Sequence, residues 1–532
     1  MMSKNPWLIF LQASFFVLIL RSPLTGFEHH QSPVNFLEYT QSVIQNNQSR
    51  QKPFFLLFSA EWCHWCKILE TKTLKNERVY SFLNKNFINV FIDADIHTGV
   101  YLRYNAKGYP FTVFLNPDAT VYFKYPGVLY AEEFLEVLQG VRENVIQGKE
   151  LYAEEFSKGK YQPPSSLEDG AIKELYEMFH EGMLDNVDLR EGGLGQGEKT
   201  IMPYAFVYAL KKSSGKRKQE HLSWISKALK KALDNLYDPL EGGFFRFAET
   251  RDWQIPHFEK MADLNAGIVL LIYEVNREEP SVLLKAAAQK TLGYLCSILY
   301  EPGIGSFLSF QEADTVYYFL NEEGRSQEKP PPVIQRIYTD RLAKTLMNLM
   351  EVLDHNRDFS LENKIQSSLN FLAEMILDGE KVFHHFSIDD GQWRSNATLE
   401  DYALLSILFT RASNRFKRDM YFKTAVKLIR DSRTMFYDKE RKIFIETDLD
   451  PEVDMEFVME MNGWLALALL ENEAVRDSEK YSIVQNLVTY FSGIEELLED
   501  SIWDSKDWNF IERYVPYLIA SERTVDRSVQ TR

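Results

Sequence analysis

Residues 52–67, KPFFLLFSAEWCHWCK, join a short apolar run to two of the three cysteines in the chain. The run that begins at Pro53 is rich in phenylalanine and predicts a buried strand. Cys63 and Cys66 follow at once and open a helical pattern. A CxxC pair between a strand and a helix indicates redox chemistry, because a helix N-terminus stabilises the attacking thiolate. Two alternatives remain: half of a zinc site, or a redox-silent pair used for packing or binding.

The flanking sequence predicts an α/β domain over residues 33–147. Apolar runs predict strands at 52–60, 87–95, 109–117 and 120–127, and the last two pair across the turn NPDAT. Helical patterns cover 33–45, 66–86, 100–107 and 130–144, and the second of these is expected to break near Asn76. The resulting order is strand, helix, strand, helix, two antiparallel strands and helix.

The residues of the CHWC motif have separable predicted roles. Cys63 is expected at an exposed turn as the attacking catalytic cysteine, and Cys66, about one turn on, is expected to resolve the mixed disulfide. His64 offers a positive charge beside Cys63. Trp62 and Trp65 are expected to cover the edge of the site or to form a docking surface. A zinc site needs four ligands, and no second CxxC or histidine pair lies within reach in the sequence, so no metal is expected.

Composition limits the partners and the location. The net charge of −17 argues against nucleic acid, which needs clustered lysine and arginine. The apolar span 7–20 predicts a secretory signal within residues 1–26 and export to a periplasm or the exterior. An uncleaved anchor formed by the same span, or a buried N-terminal helix, is the alternative, and any membrane contact is expected there alone. Cys296 lies on an apolar helical pattern and is interpreted as a small buried hydrophobe.

After a predicted linker at 148–170, residues 171–525 repeat. Five helical runs open near 202, 263, 340, 400 and 461, each followed by a second helix and a glycine- and aromatic-rich segment that predicts a hairpin. Such units bury their apolar faces only by stacking. About six helix pairs predict an all-α (α/α)6 toroid whose first helices line the inside, with their N-termini and the hairpins on one rim. An open superhelix is the alternative.

That rim is the predicted pocket of the toroid. One dense polar stretch precedes an inner helix, and further acids open later units; the candidates are Trp253, His257, Glu259, Lys260, Asp263, Asp314, Glu400 and Asp401. Sugar hydrolysis needs two carboxyl groups across the scissile bond, and epimerisation needs a base such as His257. The simpler interpretation is that these groups cap helices and close the ring.

Specific motifs resemble known families. AEWCHWC at 60–66, GYP at 108–110 and Gly127 are similar to thioredoxins, and the resemblance implies a cis proline at Tyr109–Pro110. Leu57 stands where thioredoxins carry a buried aspartate that relays protons, which puts efficient reductase chemistry in doubt.

The second domain extends the resemblance. GGFFRFAETRDWQIPHFEKMADLNA at 242–266, FLSFQEADT at 307–315 and TLEDYALL at 398–405 resemble the thioredoxin-domain family that includes the spermatogenesis-associated thioredoxin-like protein. This resemblance spans nearly the whole chain after residue 26, and it implies a six-hairpin toroid related in fold to glycosidases and to N-acylglucosamine epimerase. There are departures: Lys67 replaces the family's histidine after CHWC, and the family's paired acids of the second segment are kept only as Asp314.

The sequence therefore predicts a thiol–disulfide oxidoreductase that acts on protein thiols or disulfides through Cys63 and needs no cofactor. The toroid is expected to bind a substrate or partner, with a carbohydrate or another small molecule as candidate ligands. Two alternatives stay open. One is a sugar hydrolase or epimerase with an accessory thioredoxin-like domain, and the other is a binding scaffold without catalysis.

Overall fold

The computed structural model describes residues 32–45, 52–104, 106, 108–148, 163–166, 170–379, 381–447, 449, 454–492 and 509–530. The predicted export segment at 1–26 and most of the predicted linker lie outside these residues. Within them, no helix is both long and apolar enough to cross a membrane.

The first domain is built on a five-stranded mixed sheet. Its strands are β1 (Phe36–Glu38), β2 (Phe54–Ser59), β3 (Ile88–Asp93), β4 (Phe111–Leu115) and β5 (Val121–Pro126). They lie in the order β1-β3-β2-β4-β5, with β1 and β2 parallel to β3 and with β4 antiparallel to both of its neighbours. The prediction of a helix over all of 33–45 was wrong at Phe36–Glu38, because Phe36 packs on Phe55 and Phe91 and the segment pairs with β3.

Five helices cover this sheet: α1 (Gln41–Gln45), α2 (His64–Ile68), α3 (Glu77–Asn86), α4 (Thr98–Arg103) and α5 (Ala131–Ile146). A π-helical turn, Leu69–Thr73, continues α2. The break expected near Asn76 is confirmed, since the side chain of Asn76 accepts a hydrogen bond from the backbone N–H of Arg78 and so starts α3. Every residue of β2, β3 and β4 is buried, as the apolar runs predicted.

The second domain is a closed ring of helix pairs. The inner helices are α7 (Pro203–Lys212), α9 (Ala262–Glu278), α13 (Thr339–His355), α15 (Leu399–Phe416), α17 (Met455–Glu471) and α19 (Asn509–Gln530). The outer helices are α6 (Ala171–Asp185), α8 (Gly215–Asn235), α10 (Val282–Ser297), α14 (Phe359–Asp378), α16 (Asp419–Met435) and α18 (Asp477–Phe491). Each inner helix packs on the next, and α19 packs on both α17 and α7.

This closure confirms the toroid and excludes the open superhelix. The five predicted openings are the starts of α7, α9, α13, α15 and α17, whereas α19 was not recognised as the sixth. Where α19 packs on α17 the two backbones come very close, since a Cβ on Gly463 would lie 2.5 Å from the backbone nitrogen of Tyr517. Only glycine therefore allows α17 and α19 to approach in this way.

Short strands and two short helices, α11 (Thr315–Phe319) and α12 (Glu322–Gln327), connect the pairs. The strands are β6 (Phe247–Ala248), β7 (Pro256–His257), β8 (Lys260–Met261), β9 (Tyr300–Glu301), β10 (Ser306–Phe307), β11 (Phe310–Gln311), β12 (Arg336–Tyr338), β13 (Phe383–Ser387), β14 (Gln392–Asn396), β15 (Tyr437–Asp438) and β16 (Ile443–Phe444). A recurring aspartate shapes the connections: Asp188, Asp238 and Asp438 each accept hydrogen bonds from backbone N–H groups two and three residues later.

Candidate functional site

The CHWC motif has the geometry of a thioredoxin-like redox pair. Cys63 is the N-cap of α2, and its Sγ accepts a hydrogen bond of 3.1 Å from the backbone N–H of Cys66. The two cysteines form a disulfide with their Cα atoms 5.3 Å apart. The peptide bond between Tyr109 and Pro110 is cis, as the resemblance implied. Cys63 is thus the residue whose sulfur faces the helix N-terminus.

The toroid covers this pair. Cys63 is only 3% exposed and Cys66 1%, so the expectation that Cys63 sits at an exposed turn was wrong. The physical reason is an apolar contact between the two domains. Ala60, Trp62, Cys63 and Cys66 pack with Met261, Phe310, Ile334 and Tyr338 of the toroid, and Tyr109 and Leu264 pack at its margin. In this docked form the disulfide is shielded from solvent.

Trp62, which precedes Cys63, and Trp65, which lies between the two cysteines, have opposite environments. Trp62 is buried, and its indole Nε1 donates to both carboxylate oxygens of Asp95, at 3.0 and 3.2 Å. The guanidinium of Arg246, from the toroid, lies 4.6 Å from the centre of the Trp62 ring and 5.6 Å from that of Tyr109. Trp65 is 46% exposed, and His64 beside it is also exposed. Trp62 therefore belongs to the domain contact and Trp65 to the free surface.

Ion pairs surround the apolar contact. Glu61 lies 3.0 Å from Arg336 and accepts a hydrogen bond of 3.2 Å from the hydroxyl of Tyr338. Lys67 pairs with Glu312. On the other side, Arg103 makes a two-pronged pair with Asp454, at 3.0 and 2.7 Å. Planar pairs of this kind fix one orientation of the thioredoxin-like domain on the rim.

The first domain carries a buried carboxylate at Glu70, whereas Leu57 is apolar. Leu57 is fully buried in β2, and no carboxylate occupies its position. Glu70, about one helical turn beyond Cys66, is 3% exposed and accepts a hydrogen bond of 3.0 Å from the hydroxyl of Ser59. Sequence reasoning missed Glu70, although a carboxylate four residues after the second cysteine is the signal that identifies it.

Behind Trp62, the rim of the toroid holds a chain of charged groups. Arg341, in the first turn of α13, lies 3.2 Å from Asp340, 3.3 Å from Asp263 and 4.0 Å from Asp95 of the first domain. Burial raises the pKa of Asp95 to about 6 and that of Asp340 to about 7. The chain Trp62–Asp95–Arg341–Asp340 thus connects the redox motif to the interior of the ring.

Two further pairs line this interior. Lys344 lies 3.0 Å from Glu400, and although burial opposes ionisation, Lys344 and Arg341 lower the pKa of Glu400 to about 2. His384 Nδ1 lies 2.9 Å from Asp401 Oδ2. Burial opposes protonation of His384, but Asp401 and Asp340 outweigh it and raise its pKa to about 10.

The structure separates the predicted rim residues into two groups. Asp263, Glu400 and Asp401 belong to the charged interior, and Asp401 also forms a capping box with Thr398, the N-cap of α15. Lys260, Asp314 and Trp253 have structural contacts instead. Lys260 is buried against Asp238 at 2.7 Å, Asp314 caps α11, and the indole of Trp253 donates to the carbonyl of Glu191.

His257 and Glu259 lie apart from the interior. His257 stacks on Phe247 with ring centres 4.0 Å apart, and its Nε2 is 2.7 Å from Glu249. Glu259 lies 4.0 Å from His257 Nδ1. The groups that sequence reasoning missed are Asp95, Arg246, Asp340, Arg341 and His384. The usable signal was the position of Asp340 and Arg341 at the start of an inner helix, in YTDRLAK.

Comparisons with known proteins agree with this architecture. Residues 21–158 match the family model Thioredox_DsbH, described as a protein of unknown function, DUF255. The family resemblance predicted from the motifs is confirmed. Human spermatogenesis-associated protein 20 is 25% identical over 351 residues, which cover 58% of this chain and 44% of that protein. The rat protein of the same name is 26% identical over 54% of this chain and 40% of its own length. The chain thus spans less than half the length of these curated relatives.

The toroid has solved structural neighbours. A cellobiose 2-epimerase from Spirochaeta thermophila DSM 6192 superposes with a TM-score of 0.53 at 13% identity, covering 67% of this chain and 97% of that one. A sugar epimerase from a ruminal bacterium gives 0.50 at 11% identity, covering 66% and 98%. At identities this low, the superpositions establish the shared fold alone. The chemical activity has to be argued from the residues of the site.

Proposed function

We propose that the protein is a thiol–disulfide oxidoreductase in which Cys63 and Cys66 are the reacting pair and the toroid controls access to them. The observation that carries this proposal is the position of the disulfide. Cys63 caps a helix, Tyr109 of the cis Tyr109–Pro110 bond packs at the margin of the same cluster, and the toroid covers the pair. The apolar cover formed by Met261, Phe310, Ile334 and Tyr338 is the surface that a substrate or partner would replace.

The reaction balances without a cofactor. In the oxidising direction a substrate thiolate attacks Cys63 Sγ, the Cys63–Cys66 bond breaks, and Cys66 leaves as a thiolate that takes up a proton. A second substrate thiolate then attacks the mixed disulfide and releases Cys63 as a thiolate. The reducing direction is the reverse, with Cys66 as the resolving nucleophile. We propose that Glu70, a buried carboxylate four residues after Cys66, exchanges this proton.

The test uses the full chain with Cys66→Ser. We expect Cys63 to form a stable mixed disulfide with glutathione added as its oxidised form, and to retain protein partners through a bond that dithiothreitol reverses. Cys63→Ser is the matched control and should trap nothing, while Cys296→Ser should leave the wild-type redox cycle unchanged. A wild-type pair that stays in one state across glutathione buffers from reducing to oxidising would refute the proposal.

A sugar-active toroid is the second candidate, because the charged interior holds Arg341, Lys344 and Glu400 in the ring shared with sugar epimerases. A cavity of about 340 Å³ at the opposite end of the ring, lined by Thr410, Lys417 and Asn472 among others, lacks these groups. This candidate predicts turnover of cellobiose or mannose that Arg341→Ala abolishes and that Cys63→Ser leaves unchanged. Absence of turnover in the wild-type protein would eliminate it for these sugars.

We further propose that the protein acts outside the cytoplasm, which is where a disulfide-forming activity and the apolar segment 7–20 would both be of use. Cell fractionation of the tagged full-length chain tests this, and recovery with the cytoplasmic fraction would contradict it.

A further inference from the structure

Asp340, His384 and Asp401 converge below the thioredoxin-like domain from three separate parts of the chain. Asp340 lies in the first turn of α13, His384 in β13 and Asp401 in the first turn of α15. One ligand atom from each residue lies within 4.8 Å of those of the other two. All three residues are buried, at 2%, 1% and 0% exposure.

Each of the three residues also carries a buried polar atom without a partner in the described part of the chain. These atoms are Asp340 Oδ1, His384 Nε2 and Asp401 Oδ1. Their other polar atoms are engaged, since Asp401 Oδ2 accepts from His384 Nδ1, Thr398 N and Thr398 Oγ1, and Asp340 Oδ2 faces Arg341. Buried polar atoms are normally hydrogen-bonded, so three without partners at one place indicate a missing bound species.

The surrounding charge favours a cation as that species. Asp93, Asp95, Asp263 and Glu400 add four carboxylates to the two of the triad, which makes six. Among the described residues, the arginine and lysine side chains that act on these acids are Arg336, Arg341 and Lys344. A buried excess of carboxylates needs protons or a bound cation for neutrality.

We propose that Asp340, His384 and Asp401 form a binding site for a divalent first-row transition metal ion. One imidazole and two carboxylates are the mixed nitrogen and oxygen donors that Mn²⁺, Fe²⁺ and Zn²⁺ accept, whereas Ca²⁺ and Mg²⁺ prefer oxygen alone. One ligand atom of each residue lies within 4.8 Å of those of the other two, so a single ion can contact all three side chains. The proposal differs from the sequence-based expectation of no metal, which considered only CHWC.

Contacts around the triad would hold its ligands in orientation. Thr398 donates to Asp401 through its backbone N–H and its hydroxyl, and Arg341 lies 3.2 Å from Asp340. Such second partners keep ligating side chains in place when an ion is bound.

The experiment uses the full chain with Cys63→Ser, Cys66→Ser and Cys296→Ser, so that no thiolate can bind the metal and failure of the redox proposal leaves the outcome unaffected. After EDTA treatment and dialysis, Co²⁺ is titrated and its visible absorption is recorded, with Mn²⁺ followed by electron paramagnetic resonance. We expect one saturable site per chain, no sulfur-to-cobalt charge-transfer band, and a higher melting temperature in the presence of the ion.

Asp340→Asn and His384→Gln, made separately in the same background, should each weaken the affinity at least about 100-fold. His257→Gln is the matched control, because it removes a histidine that also contacts two carboxylates, and it should change nothing. Circular dichroism identifies which variants fold, and one folded variant of the two is sufficient. Absence of saturable binding up to millimolar Co²⁺ and Mn²⁺, or unchanged affinity in a folded variant, would overturn the proposal.

Discussion

Two buried charged clusters in the toroid differ in how completely they are paired. In the first, Lys260 Nζ contacts Asp238 and the carbonyl of Gly242, and Arg325 contacts the same carboxylate. In the second, Asp340, His384 and Asp401 each keep a buried atom without a partner. Both clusters lie near rim connections and both are shielded from solvent, so burial alone does not distinguish them.

The difference between the two clusters distinguishes a structural role from a functional one. The Asp238 cluster repeats in the preceding unit, where Asp188 contacts Lys199 and Arg251, so it belongs to the way the connections fold. The Asp340 cluster has no such repeat among the described units and faces the thioredoxin-like domain. In the Asp238 cluster the carboxylate and the ammonium group are fully paired and only Arg325 Nε lacks a partner among the described residues, which in a repeated position indicates a structural role. An unpartnered atom on each of three converging residues at a domain junction indicates a bound species or chemistry.

The largest expected effect follows from breaking the paired cluster. Lys260→Met leaves Asp238 buried with one of its two cationic partners removed, and loss of a partner from a buried pair costs about 3–5 kcal/mol. Urea unfolding followed by far-ultraviolet circular dichroism measures the loss. Lys218→Met removes a partly exposed pair with Glu278 and should cost less than about 1 kcal/mol. Equal effects of the two substitutions would contradict the assigned structural role.

A neutral buried pair gives the second prediction. Trp224 Nε1 donates to His221 Nδ1, so the proton of neutral His221 is on Nε2, which faces His180 Nδ1 at 3.0 Å. Burial lowers the pKa of His180 to about 3 and that of His221 to about 4. Unfolded histidine binds a proton below about pH 6.5, so the folded state binds fewer protons than the unfolded state as the pH falls from there toward 4.

The contribution of this neutral pair to the free energy of unfolding should therefore be fully present above pH 6.5. It should decrease at lower pH, by about 2 kcal/mol per histidine at pH 5. Urea midpoints of the wild type and of the His180→Gln/His221→Gln protein at pH 7.5 and pH 5 isolate this contribution, because all other groups are common to both proteins. The same slope in the double variant would show that the buried pair does not titrate as expected.

The third prediction concerns the cover of the disulfide. Arg246 lies over the rings of Trp62 and Tyr109, and a desolvated contact between a cation and an aromatic ring contributes about 1–2 kcal/mol. Arg246→Ala should raise the rate at which dithiothreitol reduces Cys63–Cys66 about tenfold, since 1.4 kcal/mol corresponds to a factor of ten. Arg190→Ala, an exposed arginine, is the control. An unchanged rate would mean that the docked cover does not limit access.

Much of each domain could be predicted from local patterns. The apolar runs of β2, β3 and β4 and the helix break at Asn76 depend on neighbouring residues, and five inner helices were recognised because their openings repeat. The segment Phe36–Glu38 could not be predicted from local sequence, since its strand exists only through pairing with β3. Burial of Cys63 could not be predicted from local sequence either, since the residues that cover it belong to the toroid.

The junction depends on contacts between distant parts of the chain. Arg103 pairs with Asp454 across 351 positions and Lys67 with Glu312 across 245. No pattern within a window of sequence specifies which rim residues meet the redox motif. Asp263, Glu400 and Asp401 were found because acids favour the first turn of a helix, and His384 was missed because a histidine in a short strand has no such signal.

The smallest expected effect tests the comparison most directly. Without metal, Asp340→Asn should change the free energy of unfolding by less than about 1 kcal/mol, because Asp340 Oδ1 has no partner and Arg341 keeps Asp263 and Asp95. Asp401→Asn should cost more, because Asp401 Oδ2 accepts three hydrogen bonds. Urea unfolding in EDTA compares the two variants. If Asp340→Asn proves as costly as Lys260→Met, then the Asp340 cluster is part of the scaffold, and its unpartnered atoms no longer distinguish it from the Asp238 cluster.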